Sequence, residues 1–305
     1  MNKKIVFKYH ISRFRDKYKE ILKKKSYYFD EYGVLMTKFD ETKNKVHITS
    51  EYNLKHYYHP CAISQFAIAI CDIMIESPSD DLEHKFWNQI SWLESNYTEY
   101  KNSYVYTYPF AVASFGEEPH WISGMSQGQI LSCFVRAYIK TKDLKYLTFC
   151  EKVYNSYSLE LGDKYGCRVK DEYGLWFEEA MLNPPTHILN GFIFAIFGLI
   201  DFYTITQRED VKQEIDDALK TVENTLPLYD MGYWSYYDLI GNIASYNYNS
   251  AVHVQQLFSL YNYTLNPTYK VYAQKFERYG KSKYCKFRKK VFVVCHKLVN
   301  LFKNN

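Results

Sequence analysis

Residues 188–203 read ILNGFIFAIFGLIDFY and residues 211–226 read VKQEIDDALKTVENTL. The first stretch is apolar on nearly every side. The second places Val211, Ile215, Leu219, Val222 and Leu226 at spacings of 4, 4, 3 and 4 with charges between them, the period of an amphipathic helix. A helix apolar all round must be covered all round, whereas an amphipathic helix covers a neighbour from one side. Together they predict a helix hairpin. The same alternation recurs outward along the chain. Cys61–Ile75 (CAISQFAIAICDIMI) and Ile130–Ile139 (ILSCFVRAYI) are of the first kind. Leu82, Phe86, Ile90 and Leu93 belong to the second, as does the run Leu144, Leu147, Cys150 and Val153. Repeated hairpins of this sort stack into a solenoid or close into a double ring with the apolar helices inside. The expected fold class is all-α dominated: an (α/α) barrel or toroid of helix hairpins, with loops at one mouth forming a site. Strand signals are weak, and Tyr104–Pro109 and Gly166–Val169 are short β-hairpin candidates at that mouth. No glycine-rich linker splits the chain, so one barrel domain is expected at 51–280. An irregular lead-in over 1–50 precedes it, with Tyr32–Met36 reading as extended, and a basic amphipathic tail over 281–305 follows.

The chain has 305 residues, 47% of them apolar and 19% aromatic, enough for a sizeable core. Tyrosine stands out with 32 copies. Biased composition accounts for most of that number; the functional reading is that tyrosines line sugar sites, the ring stacking on C–H groups while the hydroxyl bonds to oxygens. Seven cysteines with no CxxC pair fit neither a disulfide framework nor a zinc site. They read as reduced thiols, in keeping with a cytoplasmic protein. The apolar run Ile5-Val6-Phe7 is too short for a signal peptide, and Ile188–Ile200 is too short to span a bilayer. The expected location is cytoplasmic, with peripheral attachment to a membrane left open. Net charge is +4, but Lys270–Asn305 holds 11 basic residues and one acid, so that segment carries +10 and the remainder −6. Within the tail, Phe287, Val291, Val294, Leu298 and Leu301 share one helical face beside Arg288, Lys289 and Lys290. A solvated helix packed on the body is weighed evenly against binding to a membrane surface, to a polyanion or to glycan-synthesis machinery. Nucleic acid is not an expected partner, because no stacking motif or recognition module is present.

Four polar-aromatic segments open apolar helices: Tyr57-Tyr58-His59-Pro60, His120–Gln129, Trp176-Phe177-Glu178-Glu179 with Thr186–Phe192, and Leu226–Leu257 through Tyr237-Asp238-Leu239. Ser126 and Thr186 can be read as helix caps. A cap needs neither Gln127 and Gln129 around a glycine nor two adjacent acids beside Trp176. Buried amides and acids are costly unless partnered, so their density argues for a polar network or a ligand.

The ordered set GMSQGQ (124–129), Arg136-Ala137-Tyr138, WFEE (176–179), ILNGF (188–192), GLID (198–201), LPLYD (226–230) and YDL (237–239) resembles the C-terminal domain of heparan-type glucuronyl C5-epimerases, over about Tyr58 to Tyr279. The resemblance implies an (α/α) barrel and inversion at C5 of glucuronate residues within a heparosan-like or other surface polysaccharide, with no cofactor and no metal. It makes Glu179, Tyr237 and Tyr248 the expected acid/base groups. Tyr246 stays open beside Tyr248, because the spacing from Tyr248 to His253 is one residue longer than the family's. Tyr58, Trp121, Gln127, Gln129, Arg136, Glu178, Asn190 and His253 are the expected substrate contacts. A uronate polymer is the expected partner, and a dimer is left open. Two positions depart from the pattern: Ala180 stands where the family has a tyrosine, and Ile240 where an arginine is expected. If Ala180 truly holds that place, one acid/base group is missing and His187, Tyr173 or another loop residue is left to substitute. Two other readings therefore stand beside the epimerase: a lyase on the same scaffold and a non-catalytic polysaccharide-binding protein.

Overall fold

A computed structural model describes residues 12–23, 29–40, 45–47, 56–112 and 118–303, with the side chains of 38–40, 45–47 and 296–303 among those outside it. The Met1–Lys8 stretch and the side chains of Leu298 and Leu301 lie outside the described residues. The backbone divides into two compact units, Met1–Thr221 and Val222–Asn305.

In the first unit the alternation of helix types is the architecture. The inner helices are α2 (Pro60–Glu76), α4 (Gly124–Thr141) and α6 (Leu189–Thr206), with α4 packed between α2 and α6. Every residue of α6 from Leu189 to Phe202 is buried. The outer helix α3 (Asp80–Ser95) packs on α2 and buries only Phe86, Gln89, Ile90 and Leu93. Likewise α5 (Leu144–Asn155) packs on α4 and buries Tyr146, Cys150 and Val153. In α7 (Glu209–Thr225) the residues Val211, Ile215, Leu219 and Val222 are buried, the stripe its spacing predicts. By length and composition alone α6 could cross a membrane, running six residues past the expected end at Ile200; its burial makes it a core helix.

The closest crossing in this unit lies between α4 and α6, at Gly128 and Gly198. A Cβ added at Gly128 would come within 2.7 Å of Ala195 Cα, so only glycine lets the two backbones meet. Gly128→Val is expected to lower unfolding stability by roughly 1–3 kcal/mol through overpacking, measured in urea. An unchanged urea midpoint would contradict this crossing. Beside it, Arg136 of α4 donates from Nη1 to Asp201 Oδ2 of α6 at 2.7 Å and to Ser132 O at 3.0 Å. Both side chains are buried. Burial raises the Asp201 carboxyl while Arg136 opposes that shift. Arg136 is thus a tie between inner helices.

The lead-in is not irregular throughout. Helix α1 (Ser12–Lys23) lies on α2, with Tyr18 fully buried and its hydroxyl 3.4 Å from Ala62 O. Strands β1 (Met36–Asp40), β2 (Lys45–His47) and β3 (His56–Tyr58) form an antiparallel sheet ordered β2-β1-β3. Two short hairpins are present, β4 (Thr98–Tyr100) with β5 (Ser103–Val105), and β6 (Arg168–Asp171) with β7 (Gly174–Phe177); of the expected Tyr104–Pro109 stretch only Tyr104 and Val105 are strand, and of Gly166–Val169 only Arg168 and Val169.

The second unit begins with a 3-10 turn at Leu226–Tyr229 and a long loop, then a π turn at Tyr248–Val252 leading into α8 (His253–Thr264). Helix α9 (Pro267–Lys281) packs on α8; Asn266 caps it by accepting from Thr268 N at 2.9 Å, with Pro267 in the first turn. Helix α10 (Lys283–Lys303) follows. Of the seven cysteines, all free, five are buried in the first unit, Cys285 is half-buried and Cys295 is exposed.

Candidate active site

The paired acids follow strand β7 directly, and they point to different partners. Glu178 is buried. Its Oε2 accepts from the backbone N–H groups of Thr186 (3.2 Å) and His187 (3.0 Å), and its Oε1 lies 2.7 Å from His187 Nδ1. His187 Nε2 lies 3.0 Å from Asp171 Oδ2, and Trp176 stacks on the imidazole at 4.1 Å. Each ring nitrogen thus faces a carboxylate oxygen. The chain at His187 is left-handed, with φ +54°, a conformation strained for a residue with a Cβ. The Glu178 bracket holds it there. Glu178 therefore braces the loop that runs to Asn190. Thr186 does not cap α6, whose N-cap residue is Ile188.

Glu179 is half-buried and turns the other way. Its Oε2 accepts from Asn190 Nδ2 at 3.2 Å, and its carboxylate packs on Gly191, where any Cβ would overlap it. Asn190 and Gly191 belong to the first turn of α6, so the carboxylate sits at a helix N-terminus, where the helix dipole favours negative charge. Asn190 Nδ2 also lies 4.0 Å from Met125 Sδ in the first turn of α4. Burial, and then the charge of Glu179, raise the Cys61 thiol at the start of α2. Tyr108 is raised by burial first, with Cys61 and Glu179 adding to it. The amino ends of the three inner helices thus share one locality around Glu179.

An aromatic wall adjoins it. Trp121 stacks on Tyr108 at 4.0 Å with ring planes 7° apart, and donates from Nε1 to Phe110 O at 2.9 Å. Tyr57 meets Phe110 edge-on at 5.3 Å, and Tyr57, Trp121 and Met125 pack partly exposed around Cys61, Tyr108 and Phe110. Tyr58 is not part of this wall. It stacks on Trp92 at 5.4 Å and donates its hydroxyl to Asp30 Oδ2 at 2.8 Å. Adjacent strand residues point to opposite faces, so Tyr57 takes the place expected of Tyr58.

Gln129 Oε1 accepts from Cys61 Sγ at 3.2 Å, and its Nε2 is buried with no hydrogen-bond partner among the described residues. Such an orphan donor calls for a ligand or a water. Gln127 is different. Its Oε1 accepts from Tyr106 N at 3.0 Å, and its Nε2 donates to Tyr104 O and Ser156 Oγ, both at 2.9 Å. Every polar atom of that amide has a partner in the protein, so Gln127 pins β5 to α4. Ser126 lies inside the first turn of α4, whose N-cap residue is Ser123.

In the second unit the expected tyrosines come together. The rings of Tyr237 and Tyr248 are 5.0 Å apart, and that of His253 is 6.3 Å from Tyr248. Asp238 fixes the Tyr237 loop by accepting from Asn242 N (2.8 Å) and Nδ2 (2.6 Å), while Tyr237 N donates to Asn242 O at 2.6 Å. Tyr246 points elsewhere: it is exposed, 6.2 Å from the Trp234 ring. Tyr248, not Tyr246, stands beside Tyr237. A π turn holds one residue more than an α turn, and the turn at Tyr248–Val252 takes up the extra residue before His253. Ile240 is 60% exposed and Ala180 is fully buried.

His253 is fully buried, with Nδ1 3.3 Å from Ser235 Oγ, and burial lowers its pKa to about 3. It is neutral at pH 7, so it serves as a neutral polar group there. The unfolded chain takes up this proton near the ordinary pKa of about 6.5 and the folded chain does not. Stability is therefore unaffected above that pH and falls as pH drops from about 6.5 toward 3, by roughly 2 kcal/mol at pH 5. Urea unfolding should show His253→Gln to flatten this slope between pH 7 and 5; an unaltered slope would contradict it.

Among the described residues no group of three or more His, Cys, Asp and Glu is placed to hold a metal ion.

These helix hairpins have counterparts among solved structures. A D-mannose isomerase aligns over 91% of this chain and 71% of its own, with TM-score 0.56 and 11% identity. The α-1,6-mannanase of Salegentibacter aligns over 88% and 68% (TM-score 0.54, 14% identity). Cellobiose 2-epimerase of Spirochaeta thermophila aligns over 71% and 57% (TM-score 0.51, 15% identity). At these identities the likeness defines the fold, a helix-dominated (α/α) barrel class. The family is defined by sequence: residues 96–278 match the D-glucuronyl C5-epimerase C-terminus, and the chain belongs to that family. It is 30% identical over 194 residues to the D-glucuronyl C5-epimerase of Caenorhabditis elegans, and 31% over 174 residues to an uncharacterized protein of Methanocaldococcus jannaschii. The matched region covers 57% and 56% of this chain, but only 31% of the nematode protein and 56% of the archaeal one.

Proposed function

We propose that this protein is a carbohydrate epimerase that inverts C5 of glucuronate residues within a polysaccharide. The observation that carries the reading is the placement of Glu179, Tyr237 and Tyr248. All three lie inside the region that matches the epimerase family, and each has ordered neighbours of its own.

The C5 hydrogen is acidic only because the adjacent carboxylate can accept the charge as an enolate-like form. Removing it requires a base on one face and donors to the developing charge, and inversion requires an acid on the opposite face. A tyrosine has an ordinary pKa of about 10 and must be helped to act as base. In this reading Tyr237 and Tyr248 exchange protons with C5. Within the first unit, Glu179 holds the Asn190 amide in place, and Gln129 Nε2 offers a donor to the polymer. Trp121 and Tyr57 offer ring faces to the apolar side of the sugar. The fully buried Ala180 stands where the family has a tyrosine.

Incubation with an unsulfated glucuronate polymer should convert glucuronate to iduronate units, detected by NMR, with no near-ultraviolet absorbance from a 4,5-unsaturated product. Appearance of that absorbance would establish a lyase instead. Absence of both, with the polymer bound, would establish a binding protein.

A further inference from the structure

Helix α10 carries a feature the proposed reaction does not use. Tyr284, Phe287, Val291 and Val294 recur at spacings of 3, 4 and 3, so they share one face, and they are 66%, 64%, 45% and 57% exposed. Leu298 and Leu301 continue the same spacing in the sequence. The opposite side of the helix is occupied within its own unit. Lys286 lies over the Tyr246 ring at 5.1 Å, Lys289 lies 5.7 Å from the Trp234 ring, and Cys285, Phe292 and Val293 are half-buried. A row of exposed apolar side chains this long marks an interaction surface.

The flanks say what kind. Lys283 and Lys290 border the apolar row on one side and Arg288 on the other, all three exposed, and no acid occurs anywhere in α10. The 3-4 spacing is that of a coiled-coil seam. Pairing with a second copy in parallel would nevertheless set Lys283 of one helix against Arg288 of the other, and like charges there oppose association. The partner must instead be apolar along its centre and negative at its edges. The headgroup region of an anionic bilayer has that character, and a basic amphipathic helix lies in it with its apolar face down.

We infer that α10 docks the protein on an anionic lipid surface, with Tyr284, Phe287, Val291 and Val294 inserted and Lys283, Arg288 and Lys290 at the headgroups. This inference is independent of the reaction proposed above.

The test is sedimentation of the whole chain with vesicles of phosphatidylcholine alone or with 30% phosphatidylglycerol added. Binding is expected only to the anionic vesicles and should weaken in 0.5 M salt. Two variants separate the contributions. Phe287→Glu/Val294→Glu removes the apolar row and should weaken partitioning about tenfold or more. Lys283→Glu/Lys290→Glu leaves Arg288 on its Tyr233 contact at 4.1 Å and should weaken binding by a similar factor. Circular dichroism matching the parent confirms that each variant folds. Failure to bind anionic vesicles overturns the proposal, as does equal binding by the folded Phe287→Glu/Val294→Glu variant. A dimer in light scattering that this variant dissolves would assign the face to a second copy and also overturn it. Release of vesicle-bound protein by a uronate polymer at low salt, with Phe287→Glu/Val294→Glu binding the polymer normally, would assign the lysines to the polymer and overturn the lipid reading.

Discussion

Replacing Tyr237 by phenylalanine is expected to reduce exchange of the C5 hydrogen by ~10²–10⁴-fold while leaving polysaccharide binding nearly intact. The change deletes one hydroxyl and keeps the ring, so stacking contacts survive while proton transfer does not. Tyr237 is the position to test because its loop is rigidly specified: Asp238 grips Asn242 by two bonds, and the Tyr237 amide closes back onto Asn242 O. Its ring lies 5.0 Å from that of Tyr248, so Tyr248→Phe should lose activity similarly if the two share the transfer. Tyr246→Phe serves as the contrast, since that ring faces outward and should leave the rate unchanged. Parent-like exchange by Tyr237→Phe would remove it from the mechanism.

Replacing Arg136 by methionine should destabilise the fold by roughly 3–5 kcal/mol, because it strands the buried Asp201 carboxylate without its partner. The pair is dry, with side-chain exposures of 0% and 3%, and links the two most closely packed inner helices. Arg136→Met combined with Asp201→Leu should recover most of the loss, since neither charge then remains to be desolvated. Urea unfolding measures both. A single substitution costing under about 1 kcal/mol would mean that the pair is hydrated and that Arg136 is free for another role.

How far the sequence foretold these features depends on the length of the signal. Helix type was legible because it repeats over many residues: α6 is apolar on every side and buried on every side, and α7 buries the stripe its spacing announces. Helix α1 was missed because it is short and highly charged; among its described side chains, Tyr18 and Ile21 are in the core. The site was legible as a set of segments, but single residues within them were not. Glu178 and Glu179 are neighbours in sequence, and only the direction of β7 and the loop to His187 makes one a brace and the other half-open. Gln127 looked functional because a buried amide demands partners, and Arg136 because the resemblance put it among the substrate contacts. Those partners lie far along the chain, at Tyr104, Ser156 and Asp201, and local pattern cannot disclose them. Tyr57 was masked by Tyr58, although strand alternation was the signal that separated them. The one-residue excess before His253 left Tyr246 and Tyr248 open until the π turn accounted for it.

The proposed reaction is reversible removal of the C5 proton of polymer-borne glucuronate. The most direct test is incubation of the protein with an unsulfated glucuronate polymer in deuterium oxide, followed by mass and NMR analysis of the recovered sugar units. The account predicts deuterium at C5 in both glucuronate and iduronate units, accumulating with time and abolished by Tyr237→Phe. A polymer that is bound by the protein yet recovered without deuterium at C5 would contradict it.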